Sequence, residues 1–122
     1  MTALPPPTLE CRRLVQIMGA EAALALIEWQ GGTRYYVPKV ISADHKLAQT
    51  VGLGPATALV EAYGSSAYKV PVAREWRILV YRQRGLSYSE IARRLVCSQS
   101  TIWRVLNANE KTAKQLDLFA TL

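Results

Sequence analysis

The sequence predicts a mainly α-helical chain. Its front should hold duplicated helix-helix-strand units joined by a small antiparallel two-stranded ribbon, and its rear a three-helix domain. Three observations predict this. Residues 14–39 laid over residues 47–72 without gaps match at Leu14/Leu47, Gln16/Gln49, Gly19/Gly52, Ala23/Ala56, Ala25/Ala58, Leu26/Leu59, Glu28/Glu61, Gly31/Gly64, Tyr35/Tyr68, Val37/Val70 and Pro38/Pro71. Average composition would give roughly two such matches. Each copy also runs from helix formers through glycine into a β-prone "RYYVP" or "AYKVP". From Arg74 onward, three short amphipathic stretches are separated by Gly85 and by the turn "VCS".

In the first copy, Thr8 follows three prolines and precedes Glu10, a helix-start signal. The helix that follows would turn Leu9, Leu14, Ile17 and Met18 inward. Gly19 interrupts it, and "AEAALALIEWQ" makes a second helix that ends at Gly31–Gly32 as a left-handed C-cap. "RYYVP" then reads as a strand stopped by Pro38. In the second copy Ser42 should cap "ADHKLAQTV", Gly52 should end it, Pro55 should open the next helix and Gly64 should close it. Tyr35 and Val37, like Tyr68 and Val70, are two apart and so share one strand face, expected to be buried. Arg34, Tyr36, Ala67 and Lys69 would face the other way. A five-residue strand is not stable alone, so residues 34–38 should pair with 67–71, within one chain or between two.

Charge is unevenly spread. Residues 1–68 carry five basic groups (Arg12, Arg13, Arg34, Lys39, Lys46) and five acidic ones (Glu10, Glu21, Glu28, Asp44, Glu61). Residues 69–114 carry ten basic groups against Glu75, Glu90 and Glu110. A neutral front and a basic rear suggest that the rear meets a polyanion. Cys11 and Cys97 make neither a disulfide framework nor a metal set and read as buried thiols in a reducing compartment. No signal peptide, membrane span, metal site or cofactor is expected, and a cytoplasmic location follows. The one histidine, His45, reads as a surface residue within a helix, and no catalytic constellation accompanies it, so no enzyme is expected.

The rear segment carries the functional signal. Trp76, Leu79 and Val80 define a helix face, and Gly85 ends that helix. Ser87 and Glu90 form the S-x-x-E capping box of a second helix, "YSEIARRL", with Ile91, Ala92 and Leu95 inward. After "VCS", Ser98 caps a third, "QSTIWRVLN", with Ile102 and Val105 inward. This is helix-turn-helix spacing, with Ala92 where the helices cross closest. Val96 stands where such turns favour glycine, which implies strain if the backbone there is left-handed. With the third helix in a major groove, Gln99, Ser100, Trp103, Arg104 and Asn107 would contact bases. Arg104 could instead hold a phosphate, and Trp103 could fold back to pack. Arg77, Arg93, Arg94, Ser98 and Lys111 would contact phosphates.

A "GG-x-x-YYVPK"-like strand ahead of a C-terminal helix-turn-helix, in Gly31–Lys39 and residues 73–107, resembles the Mor (middle operon regulator) transcription activators of Mu-like phages. The resemblance implies a homodimer formed through the N-terminal helix-and-strand domain, promoter DNA as partner, and RNA polymerase as a further one. It assigns Gly31, Gly32, Tyr36, Pro38 and Lys39 to the dimer or linker strand, beside Tyr35, Val37, Tyr68 and Val70. Two strand units stand where the family has one, so the second copy could mimic a partner subunit. The helix-turn-helix alone also resembles the DNA-binding tail of serine recombinases and many repressors.

Beyond Asn107 the chain turns polar and reads as a mobile tail. Gln115, Leu116, Asp117, Leu118 and Phe119 are similar to the peptide by which bacterial replication proteins bind the β sliding clamp. The expected organisation is thus a dimerisation domain over 1–72, a DNA-binding domain over 73–108 and a tail over 109–122. The expected function is a two-fold DNA-binding transcription regulator. A clamp-recruited DNA-binding accessory factor and a non-DNA structural or interaction protein are the alternatives.

Overall fold

The computed structural model describes residues 3–120, with the side chains of Asp117, Phe119 and Ala120 outside the described set. Contacts divide the chain into two compact units, Met1–Ala73 and Arg74–Leu122.

In the first unit a 3-10 turn, Leu9–Cys11, leads into α1 (Arg12–Met18), α2 (Ala20–Gln30) and β1 (Arg34–Val37). α3 (Lys46–Val51), α4 (Leu53–Tyr63) and β2 (Ser66–Lys69) follow. Leu14 and Leu47, Ala23 and Ala56, Leu26 and Leu59, and Val37 and Val70 are all buried, each pair 33 residues apart. Each leucine contributes about 1.5–3 kcal/mol by leaving water. α1 packs on α2 and α4, and α3 on α2 and α4.

The strands pair antiparallel within the chain, Arg34 opposite Lys69, Tyr35 opposite Tyr68, Tyr36 opposite Ala67 and Val37 opposite Ser66. Val37 and Val70 are buried and Tyr35 and Tyr68 half-buried, while Arg34, Tyr36, Ala67 and Lys69 are exposed. Tyr68 stacks on Tyr63 with centroids 4.6 Å apart, and Tyr35 lies 5.3 Å from Trp29. Burial raises the pKa of both Tyr35 and Tyr68 above the ordinary phenol value.

Several local expectations need correction. Thr8 makes no cap bond to the backbone; its hydroxyl meets the Cys11 thiol at 3.6 Å, and Leu9, in the 3-10 turn, is exposed. Ser42 does not cap α3. Its hydroxyl donates to Asp44, which holds that carboxyl below its usual pKa. The cap is His45, whose Nδ1 accepts from the Leu47 amide at 3.1 Å. At the end of α2 only Gly32 is left-handed, at φ +85°. Gly31 is required for space: a Cβ there would lie 2.5 Å from the Ile27 carbonyl oxygen. The second copy repeats this, with Gly64 against Val60 O at 2.5 Å and Ser65 left-handed at φ +65°.

In the second unit α5 (Arg74–Gln83), α6 (Tyr88–Leu95) and α7 (Gln99–Ala120) pack on one another. On α5 the buried residues are Trp76, Ile78, Val80 and Tyr81, while Leu79 is only half-buried. At about 100° per residue the buried arc runs from Trp76 and Val80 through Tyr81 to Ile78. That arc leaves Leu79 on the open edge, where a three-residue face had placed it inward. Gly85, at φ +88°, closes α5 with its amide on Arg82 O (3.0 Å) and the Leu86 amide on Tyr81 O (3.1 Å), a Schellman pairing. The largest departure is α7. It has 22 residues, so the helix does not stop at Asn107 but runs through the segment read as a mobile tail.

Candidate nucleic-acid interface

The turn between α6 and α7 sets the site. Ser87 caps α6, its Oγ accepting from the Glu90 amide at 3.2 Å. Ile91 and Leu95 are buried from α6, and Ile102 is buried from α7. Ala92 is half-buried and lines a groove at the turn with Cys97, Ser98 and Gln99. Val96 is left-handed (φ 51°, ψ 56°), its amide bonding back to Ala92 O, and the Cys97 amide reaches the same oxygen at 3.1 Å. Its side chain is 86% exposed, so packing does not offset the strain. Ser98 caps α7 by accepting from the Thr101 amide at 3.2 Å. Its hydroxyl also meets Ser100 and Thr101, so a phosphate would have to share an oxygen already engaged in the cap.

Ile102 faces inward from α7, flanked by half-buried Val105 and Leu106. The other side presents Gln99, Ser100, Trp103 and Arg104, all exposed, with Asn107 half-buried beyond them. At about 100° per residue these five span an arc of about 140° on one face. Trp103 is 58% exposed, so it does not fold back into the core. Arg104 reaches Thr101 Oγ1 at 3.4 Å, a loose contact that leaves most of its donors open. Lys111 is exposed on the same arc two turns farther on, so the basic face outlasts the helix expected from the sequence. Lys114 is tied to Glu110 at 3.5 Å.

Arg93 joins this region. It lines an open groove along the α6–α7 turn with Ser89, Ala92, Val96, Cys97, Ser98 and Gln99. Arg77 and Arg94 lie against Tyr81, and Arg94 also lines an open depression with Arg93 and Glu90. Arg82 sits 5.0 Å over the Tyr88 ring and donates to Leu86 O. Tyr81 and Tyr88 were not singled out from sequence. Tyr81 stands four residues after Arg77, the one available signal, since such pairs meet on a helix.

Of the proposed clamp-type segment, Gln115, Leu116 and Leu118 are exposed on α7, and the Asp117 and Phe119 side chains lie outside the described residues. No helix among the described residues is long and apolar enough to cross a membrane, and among them no three His, Cys, Asp or Glu side chains converge.

No curated protein and no solved structure matches the chain. Residues 69–116 do match a family model, that of the homeodomain-like domain. The match spans α5, α6 and most of α7, and the C-terminal unit therefore carries a helix-turn-helix of the homeodomain-like kind.

Proposed function

We propose that the chain is a sequence-specific transcription regulator that inserts the first half of α7 into the major groove of duplex DNA. The single observation behind this is the outward arc of α7. Gln99 and Asn107 have the amide pairs that suit adenine, Arg104 the fork that suits guanine, and Trp103 an apolar surface for a thymine methyl. Arg93 and Lys111 would hold phosphates on either side, positioning without specifying. The homeodomain-like match agrees in kind.

The resemblance to Mor activators extends the proposal to a two-fold homodimer at a promoter, with the first unit holding two reading heads in register. In that assembly the ribbon formed within each chain would leave Gly31, Gly32, Tyr36, Pro38 and Lys39 to shape the linker rather than to pair strands between subunits. The clamp-recruited alternative asked for a free end, and helix α7 runs through that segment.

Selection of bound duplexes from a randomised pool, followed by footprinting, tests the proposal. A recurring motif with half-sites about 10 bp apart, or a multiple, supports a two-fold dimer. A single unrepeated motif keeps the DNA reader and removes the dimer. A pool that never enriches rejects sequence-specific reading.

A further inference from the structure

Arg77 and Arg94 form a cluster that the groove-reading face does not use. Around α6, Arg94 flanks the buried Ile91–Leu95 stripe on one side, and Ala92 flanks it on the other with Arg93 beyond. Arg93 lines the groove toward Ser98 and Gln99. Arg94 turns to α5, its guanidinium carbon 5.3 Å from the Tyr81 ring centroid. Arg77 lies 5.6 Å from the same centroid and donates from Nε to the Tyr81 hydroxyl at 3.1 Å. Tyr81 is fully buried, so the platform beneath both arginines is fixed. Among the described residues neither guanidinium has a carboxylate in ion-pair range. Glu90, one turn before Arg94, is close by but makes no such pair.

We propose that Arg77 and Arg94, held on Tyr81, form a docking site for an acidic segment of a partner protein, on a side the duplex leaves open when α7 is in the groove. The last clause rests on the proposed DNA reading; the cluster itself does not. Exposed Arg94, laid on the ring, keeps its N–H edge outward. Half-buried Arg77 is fixed by its Nε bond to Tyr81 and has its terminal nitrogens left to donate. Both give up less rotamer freedom on binding. Two of them, from two helices, offer the paired donors that carboxylates accept in bidentate fashion. A DNA phosphate could use the same donors, because Arg94 also lines an open depression with Arg93 and Glu90, and the titration below separates the two ligands.

The test is titration of a fluorescein-labelled poly-glutamate peptide against the full chain, free and saturated with duplex. Arg94→Glu and Arg77→Ala/Arg94→Ala are compared with a charge-loss control, Arg12→Ala/Arg13→Ala, two exposed arginines of the first unit. Thermal melts establish that each variant is folded. The expected result is peptide binding to free and duplex-bound protein alike. It should weaken about tenfold or more in both cluster variants, stay near wild type in the control, and leave duplex affinity and its salt slope unchanged. Displacement of the peptide by duplex, or a reduced salt slope in Arg94→Glu, would make the cluster a phosphate clamp and overturn the proposal. Equal loss in the control would reduce it to diffuse charge. If no duplex binds at all, the DNA reading fails, and the titration on free protein still decides the cluster.

Discussion

Replacing Val96 with glycine should stabilise the protein. Val96 is held at φ 51°, ψ 56° in the turn between α6 and α7. A left-handed backbone costs a residue with a Cβ about 1–2 kcal/mol, and β-branching places Val at the upper end. The side chain is 86% exposed, so little burial is lost on removing it. Against the gain stands the larger entropy of an unfolded glycine, about 0.5–1 kcal/mol. The difference is a net stabilisation of about 1–1.5 kcal/mol, or roughly 3–8 °C in Tm for a cooperative unit of this size. Thermal and urea melts followed by far-UV circular dichroism measure it, with the urea m-value unchanged. Val96→Ala should fall between the two, since it relieves the branching but keeps the Cβ. A destabilised Val96→Gly protein would refute the reasoning, because it would mean that the valine side chain contributes more than its exposure allows.

Ser65→Gly should stabilise for the same reason, since Ser65 is left-handed where the first copy has Gly32; the urea midpoint reads it. Gly31→Ala should destabilise by about 1–3 kcal/mol, because its Cβ would press on the Ile27 carbonyl at 2.5 Å, and chemical melts compare it with wild type. The raised pKa values of Tyr35 and Tyr68 favour the protonated phenol in the folded state. Their contribution should be intact below the ordinary value of 10.0 and fade as pH climbs through the raised folded values. Urea midpoints taken from pH 9 to 12 should therefore fall less in Tyr68→Phe than in wild type. Arg104→Ala should cost about 1–3 kcal/mol on the selected duplex and less on random DNA, whereas Arg93→Ala should weaken both alike, as read by fluorescence anisotropy. Equal losses for Arg104→Ala would move that residue to the phosphate class.

Much of the fold was legible because its rules are local or periodic. The matches 33 residues apart fall largely on buried Leu14, Ala23, Leu26 and Val37 and their counterparts, or on glycines the backbone needs. The Ser87 and Ser98 caps and the left-handed Val96 follow from turn chemistry that a few neighbouring residues determine. Tertiary choices were harder to read. His45 displaced Ser42 as cap because its ring nitrogen reaches the Leu47 amide while the serine is engaged with Asp44. Tyr81 looked like one more aromatic on α5, and its role depends on Arg94 arriving from another helix. The length of α7 is hidden by polarity, which marks loops as often as solvated helices. "ANEKTAKQLDLFA" consists largely of helix formers and holds neither glycine nor proline, so nothing in it ends the helix.

Dimethyl sulfate protection of guanine N7 on a selected duplex reports most directly whether α7 occupies a major groove. Wild-type protein should protect guanines within each half-site, and Arg104→Ala should remove the protection at one guanine while the rest of the footprint persists. A duplex that is bound and footprinted, yet methylated at N7 as readily as free DNA, would contradict the account.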